Sequence, residues 1–184
     1  MSTALAIVII IAVIAIAFAV WMFIDKRRTQ RLRTQFGSEY DRMVETSGRK
    51  HAETELESRA KRVQKFRIRP LSPEEQARFA ESWRQEQAHF VDDPRTAVEN
   101  ADHLVGEVMR TRGYPVGEFE RRAADLSVDH PRVVENYRSA HEIALRDSRG
   151  EASTEDLRRA MVHYRALFED LLEEHVVEHQ EVRR

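Results

Sequence analysis

From Ala4 to Ile24 the chain reads ALAIVIIIAVIAIAFAVWMFI, without one charged or strongly polar side chain. At about 1.5 Å of rise per helical residue, such a run reaches about 30 Å, the thickness of a bilayer's hydrocarbon core. Lipid offers the backbone no hydrogen-bond partners, so a transmembrane helix is the form the run predicts. Trp21 falls near its end, where an amphipathic indole favours the headgroup level. Beyond Asp25 the apolar positions are spaced rather than continuous, and the spacing is helical.

Ser38 to Phe66 carries two thin stripes, Tyr40-Met43-Val44 and Leu56-Ala60-Val63, on either side of a weak point at Thr46-Ser47-Gly48. This predicts a mostly solvated helical spacer of one or two helices. RIRPLSPEEQ then marks a boundary. Pro70 disfavours helix at Arg69, and Ser72-Pro73-Glu74-Glu75 combines a serine cap, a first-turn proline and a glutamate three residues after the serine. Phe79, Trp83 and Phe90 follow on one helical face, predicted to end near Val91.

Asp93-Pro94 opens the next helix. Its apolar positions, Ala97, Val98, Ala101, Leu104, Val105, Val108 and Met109, keep a helical period up to the terminator Gly113. A short helix carries Phe119, Ala123 and Leu126. Asp129 or Ser127 is placed to cap another that begins near Pro131, with Val133, Val134, Tyr137, Ala140 and Ala144 inward. The last starts at Ser153 or Thr154 and runs through Leu157, Ala160, Met161, Tyr164, Phe168, Leu171 and Leu172. No run alternates with a period of two for long enough to predict a strand. The fold class is all-α.

Charge refines the first element. Lys26, Arg27, Arg28, Arg31 and Arg33 follow the apolar run, whereas MST before it has no basic side chain. The positive-inside rule puts the short N-terminus outside and everything after the run in the cytoplasm. A signal peptide wants the charge before a shorter run. An uncleaved anchor is therefore expected, although small-x-small triplets occur at Ala15-Ile16-Ala17 and Ala17-Phe18-Ala19. Trp21 and the five cations are the expected membrane-interface residues.

In composition, 34% charged and 41% apolar residues over 184 positions suit a folded helical protein. The absence of cysteine excludes disulfides, thiolate metal sites and cysteine nucleophiles. No GxGxxG, GxxxxGK[ST] or GxSxG pattern occurs, so no nucleotide cradle or nucleophile elbow is expected. The pairs Arg121-Arg122 and Arg158-Arg159 have acids nearby, and no basic stripe with interleaved aromatics points to nucleic acid.

WRQEQAHFVDDPRTAVENADHLVGEVMRTRGYPV and AADLSVDHPRVVENYRSAHEIA resemble an uncharacterised group of bacterial single-pass inner-membrane proteins with a cytoplasmic helical domain. The resemblance covers about residues 75–145. It implies a bacterial inner membrane and brings no catalytic residues.

One motif points to chemistry. His175-Val-Val-Glu178-His179 reads H-x-x-E-H, the pattern of inverted zinc metallopeptidases. His175 and His179 share a helical face, and Glu178 lies beside them. A catalytic zinc also needs a third protein ligand and an open water position. The five residues after His179 offer no downstream domain to supply that ligand. An ordinary helix tail, with histidine and arginine near the C-terminal dipole, is expected instead. His51, His89, His103, His130, His141 and His163 stand singly among charged residues and read as surface positions.

The expected organisation is an anchor over 1–24, a basic collar over 25–37, a charged spacer over 38–71 and a helical bundle over 72–184. The expected role is a membrane-anchored interaction or scaffold module. It would contact the bilayer through residues 4–24 and another protein at the inner membrane, with no cofactor, no catalytic residue and no nucleic acid. The alternative is a tethered metal-binding or hydrolytic domain that uses the histidines. Oligomeric state is not legible.

Overall fold

The computed structural model describes residues 3–115 and 117–173, with side chains from residue 10 onward, and among them the regular elements are all helices. They are α1 (Thr3–Phe36), α2 (Ser38–Ser47), α3 (Arg49–Val63), α4 (Pro73–His89), α5 (Pro94–Arg112), α6 (Phe119–Asp129), α7 (Val134–Ser148) and α8 (Thr154–Leu172). The all-α expectation holds. The chain forms two compact units, Met1–Leu56 and Glu57–Arg184, and the division falls inside α3 rather than at Ser72.

In the first unit α1 passes through the basic collar without a break. The uncharged run is thus the first part of a longer helix, and no helical boundary separates it from the basic collar. Among the described residues no helix is long and apolar enough to cross a membrane. Gly37 separates α1 from α2. Gly48, at φ 76°, separates α2 from α3 in a conformation that L side chains rarely adopt, so the spacer is two helices. It is also less solvated than its composition suggests. Tyr40, Ala52, Glu53, Leu56 and Val63 are all buried.

The second unit is a bundle in which α8 packs on α5 and α7, and α4 packs on α5. Its core joins Phe79 and Trp83 from α4, Leu104, Val105 and Met109 from α5, Tyr137 from α7, and Tyr164, Leu167 and Phe168 from α8. Trp83 stacks on Phe168 with ring centroids 5.1 Å apart. Three helix starts have a local reason. Ser72 and Glu75 close a reciprocal capping box on α4, Asp93 accepts the Thr96 amide on α5, and Ser153 with Asp156 forms a second box on α8.

The expected cap of α7 is not formed. α7 begins at Val134 with no side-chain cap. Asp129 instead accepts the Tyr114 hydroxyl at 2.7 Å, and Ser127 lies buried within α6, donating to the Ala124 carbonyl.

Between α3 and α4 the chain runs as an extended strap. Lys65, Arg67 and Arg69 point outward in turn, while Phe66 and Ile68 are half-buried and Leu71 is buried. The strap crosses the C-terminal end of α5, where the Arg69 amide donates to the Arg112 carbonyl at 2.8 Å. Gly113 is required there twice over. Its φ is 98°, and a Cβ would collide with the Arg67 carbonyl oxygen.

Candidate functional site

Asp25, Thr29, Leu32 and Phe36 recur along α1 at spacings of four, three and four, which places them on one face. Leu32 and Phe36 are buried, as are Tyr40, Ala52 and Leu56 from the rest of the unit. At the centre of this face lies the Glu53 carboxylate, whose side chain is 4% exposed. Its Oε1 accepts from the Thr29 hydroxyl at 2.8 Å, the Arg49 Nε at 3.0 Å and the Tyr40 hydroxyl at 3.1 Å. Arg49 continues outward, donating to Thr29 at 2.7 Å and to Asp25 at 2.5 Å. Burial by itself would raise the Glu53 carboxyl. The three donors outweigh it and hold the group below its ordinary value. Burial, with the facing carboxylate, pushes Tyr40 the other way, so it stays a neutral donor.

This latch is the part of the collar that charge alone does not show. The expected interface residues lie around and above it. Trp21 is 62% exposed, its ring 6.0 Å from that of Phe18. The Arg27 guanidinium lies 4.3 Å over Phe23, and Arg33 pairs with Asp41 at 3.2 Å. Lys26 and Arg31 are exposed, and Arg28 is half-buried. Thr29 and Asp25 were detectable only as polar members of a helical stripe completed by Leu32 and Phe36.

Two of the bundle's polar clusters set tyrosine or histidine against charged side chains. In one, Asp102 accepts the Tyr164 hydroxyl at 3.2 Å and faces Arg122 at 3.6 Å. Arg122 reaches over the Tyr137 ring, with its guanidinium carbon 5.8 Å from the centroid, and a Cβ at Gly106 would sit 3.2 Å from its Nη1. Burial, reinforced by Asp102, pushes both tyrosines far up, so neither is a base. His141 stacks on Phe119 at 3.5 Å, and burial lowers its pKa. The arrangement joins α5, α6, α7 and α8; it contains no nucleophile aligned with an activating base.

The second cluster corrects the reading of His130 as a surface residue. His130 is buried and donates from Nδ1 to Asp170 at 2.5 Å. That tautomer leaves Nε2 free to accept from Arg112 Nη1 at 3.4 Å, and the same Nη1 donates to the Leu171 carbonyl at 3.0 Å. A buried arginine thus satisfies a carbonyl at the end of α8 that the helix itself cannot. The link is between helix ends.

His175, Glu178 and His179 lie outside the described residues. Among the described ones, no three His, Cys, Asp or Glu side chains converge as a metal ion requires. Compared with protein-family models, with curated proteins and with solved structures, the chain matches none.

Proposed function

We propose that this chain is a membrane-tethered helical interaction module. In this reading residues 4–24 sit in a bacterial inner membrane and the bundle acts as a scaffold for a protein partner on the cytoplasmic side. One observation carries it. The apolar side chains of α1 from Ile10 to Ile24 are exposed on every side of the helix, at 44–64% for the large ones. A helix apolar all round needs an apolar surrounding, in a core or in lipid. The uncharged run continues in sequence to Ala4, which restores a bilayer's length. The cations that follow would meet anionic headgroups, each contributing about 1 kcal/mol. Confinement beside a membrane would raise the bundle's effective concentration for a membrane-bound partner.

The experiment is alkaline extraction of membranes that contain the full chain, beside a version that starts at Asp25. The full chain should stay in the pellet and the shortened one should be released. Release of both would overturn the anchor. Complementation of a deletion strain then addresses tethering. An unrelated apolar helix in place of Ala4–Ile24 should restore function, and the shortened chain should not. A shortened chain that complements as well as the full one would remove tethering from the mechanism.

A further inference from the structure

The basic side chains of the bundle fall into two sets. Along α7, α8 and the outer parts of α4 and α5 they are paired: Arg84 with Glu81, Arg95 with Asp147, Arg158 with Glu155, and both Arg146 and Arg159 with Asp156. Where the strap passes the end of α5, Arg69 is held by Glu75 at 2.7 Å, but several cations around it are not paired. Lys65, Arg67, Arg78 and Arg110 have no hydrogen-bond or ion-pair partner among the described residues.

The surface there is also concave. A notch of about 360 Å³ between α4 and α5 is lined by Arg78, Phe79, Ser82, Glu107, Arg110 and Thr111. The Arg78 guanidinium carbon lies 4.8 Å over the Phe79 ring, a contact that orients the fork without neutralising it. The Thr111 hydroxyl hydrogen is committed to the Glu107 carbonyl at 2.8 Å, so Ser82 is the notch's hydroxyl donor. Two guanidinium groups against one carboxylate leave a single positive charge to match. Guanidinium forks favour phosphate and carboxylate oxygens. Glu107 repels a dianion and offers an acceptor to any hydroxyl or ammonium beside a monoanion. A phosphodiester with a polar substituent has that combination.

We propose that this notch binds a singly charged phosphate ester, with Arg78 and Arg110 on the phosphate oxygens and Glu107 on the polar substituent. Arg67, exposed on the strap where its carbonyl approaches Gly113 at the same end of α5, adds a cation past one phosphate. That extension favours an array of phosphates, as phospholipid headgroups provide, over a lone soluble ester. The lipid source rests on the anchor reading above; the phosphate chemistry does not.

The chain has no cysteine, so Gln85→Cys, one turn from Ser82, carries a fluorophore at a single place. The labelled full chain is placed in phosphatidylcholine nanodiscs, and co-elution with the discs reads the anchor before any titration. Inorganic phosphate is then added at a pH low enough to keep it a monoanion, or the discs are remade with phosphatidylglycerol. A response to phosphatidylglycerol that Arg78→Gln with Arg110→Gln weakens about tenfold or more supports the headgroup. A response to inorganic phosphate alone, with the same loss, supports the soluble ester. Glu107→Gln should strengthen the response to inorganic phosphate, which has no substituent for Glu107 to hold, and Arg84→Gln, outside the notch, should leave either response unchanged. A response that survives the double variant, that Arg84→Gln removes equally, or that only a glutamate-rich peptide evokes overturns the proposal, as does no response. If the chain does not co-elute, the phosphate titration in buffer still decides the notch.

Discussion

Glu53 lies among a few apolar side chains, Leu32, Phe36, Tyr40, Ala52 and Leu56, in a unit whose three helices are otherwise mostly exposed. The bundle inverts that proportion. Its apolar cluster extends from Leu71 to Leu171, and Asp102, Arg122 and the His130 link stand at its margins. Burying a large apolar side chain contributes about 1.5–3 kcal/mol and depends little on pH, whereas a hydrogen bond contributes about 1 kcal/mol and depends on the charge of its partners. One unit is therefore held by area and the other by a proton-sensitive arrangement around one carboxylate. The contrast predicts different failures.

Phe168→Ala should have the largest effect, about 3–5 kcal/mol, because it removes a buried ring stacked on Trp83. Urea unfolding of the bundle measures it. A loss under about 1 kcal/mol would mean that area is not what holds this unit.

Gly113→Ala tests whether the strap belongs to the bundle's stability. Both the positive φ and the collision with the Arg67 carbonyl oppose a side chain, so the loss should exceed about 1 kcal/mol. Hydrogen exchange at the Arg69 amide, bonded to Arg112, should speed up with it. An unchanged Arg69 rate would detach the strap from α5.

Glu53→Gln should have the smallest and most local effect, about 1–3 kcal/mol, since the amide keeps one acceptor and loses the charge that Arg49 meets. Exchange should quicken in α3 near Arg49 while the bundle's urea midpoint stays fixed. Acid should reproduce it. Because the folded Glu53 value is lowered, the latch's contribution is complete above the ordinary glutamate value, about 4.3, and is lost as pH falls through the folded one. A latch that opens instead on raising pH would reverse the assignment.

The bundle was the more legible unit for a related reason. α5 repeats apolar residues at helical spacing and ends at Gly113, and Ser72-Pro73-Glu74-Glu75 writes its cap within four positions, so local reading suffices. The latch is helical in spacing too, but half of its stripe is Asp25 and Thr29, and a search for apolar periodicity passes over them. Its partner is a carboxylate 24 residues away from Thr29. His130 was misread for the same reason, as Asp170 lies 40 residues further on. The strap's two-residue alternation is present in KFRIRPL, but its outward positions are cations and it pairs with a helix end, where strand rules do not apply. The capless start of α7 had two suitable residues nearby. Tertiary partners claimed both.

The unbroken course of α1 from Thr3 to Phe36 has a mechanical consequence. A helix transmits torsion, because each residue advances the azimuth by about 100° and no glycine or proline within α1 offers a swivel. The latch fixes the rotational phase of the rod at Asp25 and Thr29. The same phase, carried back along the axis, fixes which edge of the apolar part, Ile11, Phe18 and Met22, lies over the α2–α3 side. A turn of the upper rod by one residue's step would carry Thr29 off Glu53, so rotation at one end is recorded as a broken hydrogen bond at the other.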